Sequence, residues 1–532
     1  MMGLELNVSA VTLGVSLALF LVALRTWLSW RHLQHIPGPP LASITDLQRM
    51  SWVKTKKAHL ILQDVHEKYG EVVRIGPKTI SFSNPEAITT CAKLTLHFPK
   101  SKFYVTLQPY TPKGGSLHAI FNTPDENIHK QLKSPIANFF TPNNVLLYES
   151  HVDDVLTVLQ AKLDSKYIGH DQIFELSSWM QFFAFDVMGT LTFSKRYGFL
   201  DTGKDIGNML KNIKDFMRTA APWTQIPQLD AILRKNQIGD WVQRHFFTAA
   251  SMGILGFVGK AIEEKREALR AKRQSKDGTA QLDNKTTAGN EKDFLTRYLE
   301  ILEASPKTVP AWAPTAWTFS NVIAGSDSVG SLMCTTMFNL LVYPHTLQKL
   351  LAELQGSNAS RPFPRYGELR NLPYLNACVL EGIRMHPPFC LPLERVVPKG
   401  GIRVLDHIIP EGTVIGGSPY VVNRHKGTFG DDAEFWRPER WLEGGEEHRK
   451  KLEASMLTFG SGRRICLGKY LGTLEITKLI SFLVLNYDIR IVDPERFTVE
   501  NSWFFFQEGL YATIRHRAEK AVKDEKGSEI PV

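Results

Sequence analysis

Near its C-terminus the chain reads Phe459-Gly460-Ser461-Gly462-Arg463-Arg464-Ile465-Cys466-Leu467-Gly468. A lone cysteine stands here between glycines and arginines. Glycine adopts backbone angles that other residues avoid and lets the chain approach a flat ligand closely, and backbone amides beside a sulfur can hydrogen-bond to it and tune its electronic properties. The stretch therefore has the features of a loop that presents one thiolate to a large anionic ligand.

Three interpretations of Cys466 follow from the residue types alone. An inert buried thiol is the first, because free cysteines are commonly buried. A zinc site is the second, but no C-x-x-C or H-x-x-x-H partner lies near, and one cysteine cannot close such a site. The third is a thiolate ligand of haem iron, which favours cleavage of an oxygen–oxygen bond, with Arg464 reaching a haem propionate. Local chemistry does not separate the first from the third.

The stretch also carries a family resemblance. It matches every fixed position of the F-x-x-G-x-R-x-C-x-G pattern, at Phe459, Gly462, Arg464, Cys466 and Gly468, and so resembles the cytochrome P-450 monooxygenases. The resemblance implies the cytochrome P-450 fold, which is mainly α with small β-sheets (α+β) in a single large haem domain. It also implies haem b (iron protoporphyrin IX) as cofactor, with the Cys466 thiolate as axial ligand.

A second motif precedes the cysteine loop. Residues 374 to 388 read as a helix that ends at prolines, with Glu381 and Arg384 three residues apart on one face. Alone, they would be a surface pair worth about 0.3 kcal/mol. The pair resembles the family's E-x-x-R motif, and residues 435 to 441 resemble the segment that supplies a second arginine, Arg440. The resemblance thus implies a buried triad of these three residues that serves folding and haem retention.

Residues 315 to 344 are mostly apolar, which predicts a central buried helix. Asp327 is costly inside such a helix unless it has a partner or a task, although a polar cluster bonding back to the preceding turn is a structural alternative. The segment resembles the family's A-G-x-D-T motif, where the helix opens beside the haem. The implied roles of Asp327 and Ser328 are those of an acid–alcohol pair that relays protons. The family usually has threonine at 328, so the missing methyl predicts looser water access and some loss of electrons to peroxide.

Further positions concern the haem propionates. His129 and Lys133 stand where the family has both fixed residues of its W-x-x-x-R helix, and each can donate to a carboxylate, although a solvated basic helix face is equally compatible. Arg395 follows the E-x-x-R helix, where family members usually carry a propionate-binding arginine. The predicted cofactor-binding set is therefore His129, Lys133, Arg395, Arg464 and Gly468.

The N-terminus predicts a membrane anchor. Residues 8 to 30 are predominantly apolar, with Arg25 as the single charge, and as a helix they would span roughly 34 Å, more than a hydrocarbon core of about 30 Å. The run exceeds a usual signal-peptide core and lacks a clear cleavage site. We therefore expect residues 1–35 to form an anchor. Because Arg31 and His32 follow the span, the catalytic body should be cytosolic, and for a eukaryotic source the resemblance implies a single-pass protein of the endoplasmic reticulum membrane.

The domain organisation follows from the motifs. Residues 36–40, Ile36-Pro37-Gly38-Pro39-Pro40, resemble the family's proline-rich linker and predict a stiff hinge. Since the motifs must converge on one cofactor, residues 41–517 should form one haem-thiolate catalytic domain, followed by a charged tail at 518–532. Residues 70–82 predict a hairpin of a small sheet, and residues 263–292 a charged helix end that leads into an exposed loop.

The composition restricts the partners. The 532 residues carry a net charge of +9, and their five cysteines show no pairing pattern, which argues against a secreted disulfide scaffold. Basic clusters are not interleaved with aromatics, so nucleic-acid binding is not expected. Anionic membrane lipid is one expected partner. An acidic reductase docking near Arg463 and Lys469 is another, and the resemblance identifies it as NADPH-cytochrome P-450 reductase, with a monomeric catalytic domain.

The resemblance extends over nearly the whole chain and is nearest to fungal members that tailor secondary metabolites. It implies insertion of one oxygen atom from dioxygen into a small but bulky apolar substrate such as a terpenoid, polyketide or alkaloid, with electrons from NADPH. Aromatics within residues 103–121, 389–393 and 503–506 are expected to line the pocket. Two alternatives are a reductase-independent haem-thiolate isomerase or dehydratase, which the retained Asp327 and Ser328 disfavour, and a non-catalytic membrane haem- or sterol-binding protein.

Overall fold

The fold is taken from a computed structural model that describes residues 27–88, 98–110, 115–170, 172–236, 238–239, 250–276 and 292–518, with short pieces between 12 and 24 and between 522 and 530. Helices dominate it and the sheets are small, as the sequence predicts.

The helices of eight or more residues in this part of the chain are α1 (Leu47–Lys54), α2 (Ala58–Tyr69), α3 (Glu126–Lys133), α4 (Glu149–Tyr167), α5 (Leu176–Phe193), α6 (Met209–Trp223), α7 (Ala250–Lys276), α8 (Phe294–Ala304), α9 (Ala313–Ala324), α10 (Asp327–Val342), α11 (Pro344–Gly356), α12 (Pro373–Met385), α13 (Gly445–Ser455) and α14 (Lys469–Asn486). Shorter helices are Pro40–Ile44, Pro142–Val145, Phe199–Thr202, Pro227–Leu233, Tyr366–Leu369, Pro419–Val422 and Lys426–Phe429. The strands are β1 (Val72–Gly76), β2 (Thr79–Phe82), β3 (Phe174–Glu175), β4 (Arg395–Val396), β5 (Ile402–Val404), β6 (His407–Ile409), β7 (Val414–Gly417), β8 (Tyr487–Ile491), β9 (Thr498–Ser502), β10 (Phe504–Glu508), β11 (Tyr511–His516), β12 (Val522–Lys523) and β13 (Glu529–Ile530).

The largest sheet has the order β1-β2-β7-β4. Strands β1 and β2 pair antiparallel with Val72 opposite Phe82, which confirms the predicted hairpin. Strand β7 runs parallel to β2 and antiparallel to β4. A second sheet has the order β3-β11-β8, and the pairs β5–β6, β9–β10 and β12–β13 form small two-stranded sheets. Strands β12 and β13 lie in the predicted charged tail.

The core is built around α10, which packs against α5, α12 and α14. A Cβ atom on Gly472 of α14 would lie 3.2 Å from Val329 of α10, so these two helices approach closely at that point. Helix α10 begins at Asp327, α12 carries Glu381 and Arg384, and α14 begins just after the cysteine loop. Helix packing therefore brings the separate motifs to one region of the domain.

The predicted central helix is two helices. Residues Gly325 and Ser326 interrupt it between α9 and α10. At Gly325 a Cβ atom would lie 2.8 Å from Met188 Sδ and 2.9 Å from the Asn321 carbonyl oxygen. The absence of a side chain thus permits close packing against α5 where the helix is interrupted.

The predicted hinge is packed against the domain. Leu33 and Ile36 are buried, the Pro37 carbonyl accepts from the Arg74 backbone N–H at 2.7 Å, and a Cβ atom on Gly38 would lie 2.1 Å from the Arg74 carbonyl oxygen. Arg74 is itself buried, with 1% of its surface exposed. Its guanidinium donates to the backbone carbonyls of Ser29, Trp30, Ser43, Gly76 and Pro77 at 2.8–3.2 Å.

Part of the predicted span at residues 8–30, namely residues 8–11, 15, 18–19, 22 and 25–26, lies outside the described residues. In what the structure describes, no helix is both long and apolar enough to cross a membrane. Apolar side chains that are described near this span, among them Leu13, Phe20 and Trp27, are exposed. Residues 277–291, the predicted exposed loop, also lie outside the described residues, and the helix predicted to precede them ends at Lys276.

Candidate active site

The cysteine loop owes its shape to two glycines. Gly460 and Gly462 have φ angles of 69° and 59°, in the left-handed region that glycine tolerates. The turn is closed by the Cys466 backbone N–H, which donates to the Phe459 carbonyl at 2.8 Å. Gly468 has an ordinary φ of −81°, so the expectation of a special backbone angle there is wrong. A Cβ atom at position 468 would meet no atom within 4 Å, so the space beside this part of the loop is open.

Cys466 differs from the other described cysteines in its exposure. Cys466 is exposed, whereas the other described cysteines, Cys334, Cys378 and Cys390, are buried. The surrounding protein nevertheless desolvates the thiol and raises its pKa, an effect opposed by hydrogen bonds from the backbone N–H groups of Gly468 and Lys469 and by the charge of Lys133. An accessible sulfur with amide donors around it has the chemistry of a thiolate ligand for a soft metal centre.

Basic side chains gather beside this loop. They are Lys100, His129, Lys133, Arg395 and Arg464. Burial and then the charges of Arg395 and Arg464 lower the pKa of Lys100 well below its usual value. Burial, followed by the charges of Arg464 and Lys133, lowers the pKa of His129 to about 3. Glu126 is an acid that pairs with this basic cluster: its carboxylate accepts from Arg464 Nε at 3.0 Å and from Arg464 Nη2 at 2.6 Å. The lowered pKa values show that these basic groups have little acid nearby to balance their charge, and such a set of hydrogen-bond donors fits the two propionates of a haem.

The predicted propionate residues have contacts of their own. Lys133 Nζ donates to the carbonyls of Arg463 at 2.7 Å and Ile465 at 3.5 Å, so it fastens α3 to the cysteine loop, a role that differs from the predicted one. Arg395 donates to the Tyr104 hydroxyl at 3.2 Å. His129 Nδ1 lies 3.6 Å from Glu126, and its Nε2 is buried with no partner among the described residues.

Lys100 is the member of this cluster that the sequence does not reveal. It is buried and lies over the rings of Tyr104 at 3.9 Å and Phe121 at 4.1 Å. Its ammonium donates to the Phe121 carbonyl. No motif surrounds Lys100 in the sequence, and only the fold places it near Arg395.

The triad of Glu381, Arg384 and Arg440 is formed as predicted. Glu381 accepts from Arg384 Nε at 2.9 Å and Nη2 at 2.8 Å, and from Arg440 Nε at 3.0 Å. All three are almost entirely buried. Burial alone would raise the pKa of Glu381, but the charges of both arginines lower it. The indole N–H of Trp441 also donates to Glu381 at 2.9 Å, a contact the sequence does not reveal.

The acid–alcohol pair lies at the break between α9 and α10. Asp327 is buried, its Oδ1 accepts from Gln181 Nε2, and its Oδ2 has no partner in the described part of the chain. Burial raises the pKa of Asp327 to about 7, although the Gln181 hydrogen bond and the charge of Lys214 oppose this. Ser328 Oγ donates to the Ala324 carbonyl at 2.6 Å. A group that titrates near neutrality beside a hydroxyl is suited to proton transfer.

The three segments expected to line a pocket meet in an aromatic cluster. The Phe121 ring lies 5.4 Å from Tyr104, 5.7 Å from Phe389 and 5.8 Å from Trp503, measured between centroids. Phe121 is 39% exposed while its three neighbours are buried. Its backbone carbonyl binds Lys100 and the neighbouring Ile120 carbonyl binds Arg464, so the cluster adjoins the cations.

Comparison with known proteins agrees with this geometry. A family model described as Cytochrome P450 matches residues 37–511. The chain is 64% identical over 517 residues to "Cytochrome P450 monooxygenase mfmA" of Annulohypoxylon moriforme, covering 97% of this chain and 98% of the relative. It is 47% identical over 522 residues to "Cytochrome P450 monooxygenase asR2" of Sarocladium schorii, with coverage of 97% and 98%. It is also 47% identical over 515 residues to "Cytochrome P450 monooxygenase pkfB" of Emericella nidulans, with coverage of 96% and 97%.

Proposed function

The chain belongs to the cytochrome P450 family of haem-thiolate monooxygenases, and from this premise we propose that it inserts one oxygen atom from dioxygen into a bulky apolar substrate as a tailoring step in fungal secondary metabolism. Electrons come from NADPH through NADPH-cytochrome P-450 reductase. The observation that carries the proposal is the exposed Cys466, whose sulfur has the backbone N–H groups of Gly468 and Lys469 as hydrogen-bond donors and a cluster of basic side chains nearby.

Different residues of the protein serve cofactor binding and proton transfer. Cys466 would hold the haem by its sulfur, and Lys100, His129, Arg395 and Arg464 would serve as hydrogen-bond donors to its carboxylates. When bound, haem supplies the activation of dioxygen that a monooxygenase requires. The protein supplies protons: Asp327, with a pKa raised to about 7 by burial, can take up and release a proton at Oδ2 near neutral pH.

Features of the surface support the remaining parts of the proposal. The aromatic cluster around Phe121 favours a bulky apolar substrate. Exposed apolar side chains on the helix Pro227–Leu233 and along the N-terminal residues favour contact with membrane lipid, in keeping with a single-pass endoplasmic reticulum protein with a cytosolic, monomeric catalytic domain. Arg463 is exposed beside the cysteine loop and offers an acidic reductase a complementary charge.

Two measurements on the full-length protein in microsomes test the proposal. Cys466→Ser should lose the red-shifted Soret band of the ferrous carbon monoxide complex, whereas Cys390→Ala, which changes a buried cysteine outside the loop, should keep it. Feeding the intermediate that accumulates after gene deletion should give a product only with NADPH and reductase. Retention of the band in Cys466→Ser would refute the ligand assignment, and turnover without NADPH would favour an isomerase or dehydratase.

A further inference from the structure

A polar cavity of about 650 Å³ lies behind the proton-relay acid. Its walls come from α5, α6, α10 and the β9–β10 pair. Asp327, Gln181 and Ser331 form part of its lining. Oδ2 of Asp327 and Oγ of Ser331 are both buried without a hydrogen-bond partner among the described residues. A polar cavity of this size has room for water.

Charged side chains from several elements line the cavity. Helix α6 presents Lys211, Lys214, Asp215 and Arg218. Other titratable lining groups are Glu175, Asp205, Cys334, Arg496, Glu508 and Tyr511. Lys214 is the cation whose charge acts on Asp327, and its own ammonium is paired with Glu508.

The contact between α5 and α10 holds Gln181 in place. A Cβ atom on Gly330 would lie 3.2 Å from Gln181 Cα and 3.5 Å from its Cβ and Cγ, so the two helices nearly touch at this glycine. From this fixed position the Gln181 amide donates to Oδ1 of Asp327. An amide neither gives up nor accepts a proton at neutral pH, so Oδ1 is held in a hydrogen bond that takes no part in proton exchange.

We propose that Gln181 is a positioning residue for Asp327, fixing the carboxyl through Oδ1 and leaving Oδ2 as the atom that exchanges protons between the cavity and Ser328. This proposal rests on the relay role of Asp327 in the proposed function. A proton from solvent in the cavity binds Oδ2 and neutralises the carboxylate. It then leaves from the same atom towards the Ser328 hydroxyl, which restores the charge.

The test uses the full-length protein in vesicles with reductase. The infrared band of the protonated Asp327 carboxyl, identified by its loss in Asp327→Asn, is followed against pH in Gln181→Leu and in the closer-shaped Gln181→Met. Because an N–H donor favours the charged carboxylate, its removal should raise the midpoint by about one pH unit. The pH profile of product formed per NADPH should move in the same direction.

Gln507→Leu is the matched control, because Gln507 also lines the cavity but donates to Thr335 at 2.6 Å. It should leave the infrared midpoint unchanged. An unmoved midpoint in both Gln181 variants, or an equal shift in Gln507→Leu, would overturn the positioning role. Unchanged product per NADPH in Asp327→Asn would instead overturn the relay itself, so the two failures are distinguishable.

Discussion

Replacement of Glu381 with glutamine should destabilise the domain more than any surface change. The carboxylate has no exposed surface and accepts from Arg384, Arg440, Trp441 and the backbone N–H of Arg437. Glutamine keeps the shape but removes the charge. Arg384 would then be buried without an acid to balance it, because its remaining contacts include only the neutral carbonyls of Asn423, Ala433 and Phe435 and the sulfur of Met385. Breaking a buried pair in this way costs about 3–5 kcal/mol.

The two arginines should not be equivalent. Arg440 has a second acid, Asp432, at 3.0 Å, and that carboxylate is 38% exposed. Loss of Arg440 leaves Glu381 paired with Arg384 and leaves the half-exposed Asp432 paired with Arg437, whereas loss of Arg384 removes the bidentate partner of Glu381. Arg384→Ala should therefore lower the free energy of unfolding more than Arg440→Ala.

Urea denaturation at pH 7, followed by tryptophan fluorescence, measures these differences. The control is Glu446→Gln, the same substitution in a pair with Lys450 in which both side chains are more than two-thirds exposed, and it should leave the midpoint unchanged. The pKa of Glu381 is lowered in the fold from its usual 4.5, so its contribution is present above that pH and is lost as the pH falls through the folded value. The gap between Glu381→Gln and wild type should thus persist from pH 7 to about 5 and close only in stronger acid. A Glu381→Gln midpoint equal to that of Glu446→Gln would refute the reasoning.

Three further changes test other parts of the structure. Burial lowers the pKa of His59 from 6.5 to about 3. As the pH falls below 6.5, the unfolded chain therefore takes up a proton that the folded chain does not, and the free energy of unfolding decreases by about 2 kcal/mol at pH 5. His59→Phe should remove this decrease in urea titrations, and an unchanged dependence of stability on pH would contradict the prediction. Gly38→Ala places a Cβ atom against the Arg74 carbonyl and should lower the free energy of unfolding by about 1–3 kcal/mol, which faster proteolysis near residue 38 would detect. The control is Gly367→Ala, whose added Cβ atom meets no atom within 4 Å and should leave stability unchanged. Ser328→Thr should lower peroxide released per NADPH, and a rise would show that the methyl obstructs the site.

The motifs could be read from the sequence because each encodes a local constraint. The spacing of Glu381 and Arg384 places both on one helix face, and the glycines at 460 and 462 mark the tight turn before Cys466. The break after Ala324 was expected from the resemblance, whereas the close approach of Gly325 to Met188 at that break emerged only from the fold.

Contacts between segments that are distant in the sequence could not be predicted from local motifs. Gln181 and Asp327 are 146 residues apart, and no local pattern marks a glutamine on a mostly apolar helix as the partner of an acid on another. Lys100 likewise stands in no motif, and its position depends on packing against Tyr104 and Phe121. The contacts of Lys133 with the cysteine loop and the packing of the predicted hinge at residues 36–40 could not be predicted for the same reason, because the neighbours that bind them are remote in sequence.

The buried Arg74 side chain connects three segments of the chain. Its cation binds carbonyls at the end of the helical residues 27–32, at the start of the domain and in the β1–β2 turn, and it neutralises partial negative charge at a helix C-terminus. One buried side chain therefore holds residues 29 and 30 against the β1–β2 turn, and a single substitution at Arg74 would remove the hydrogen-bond donor that all three segments share.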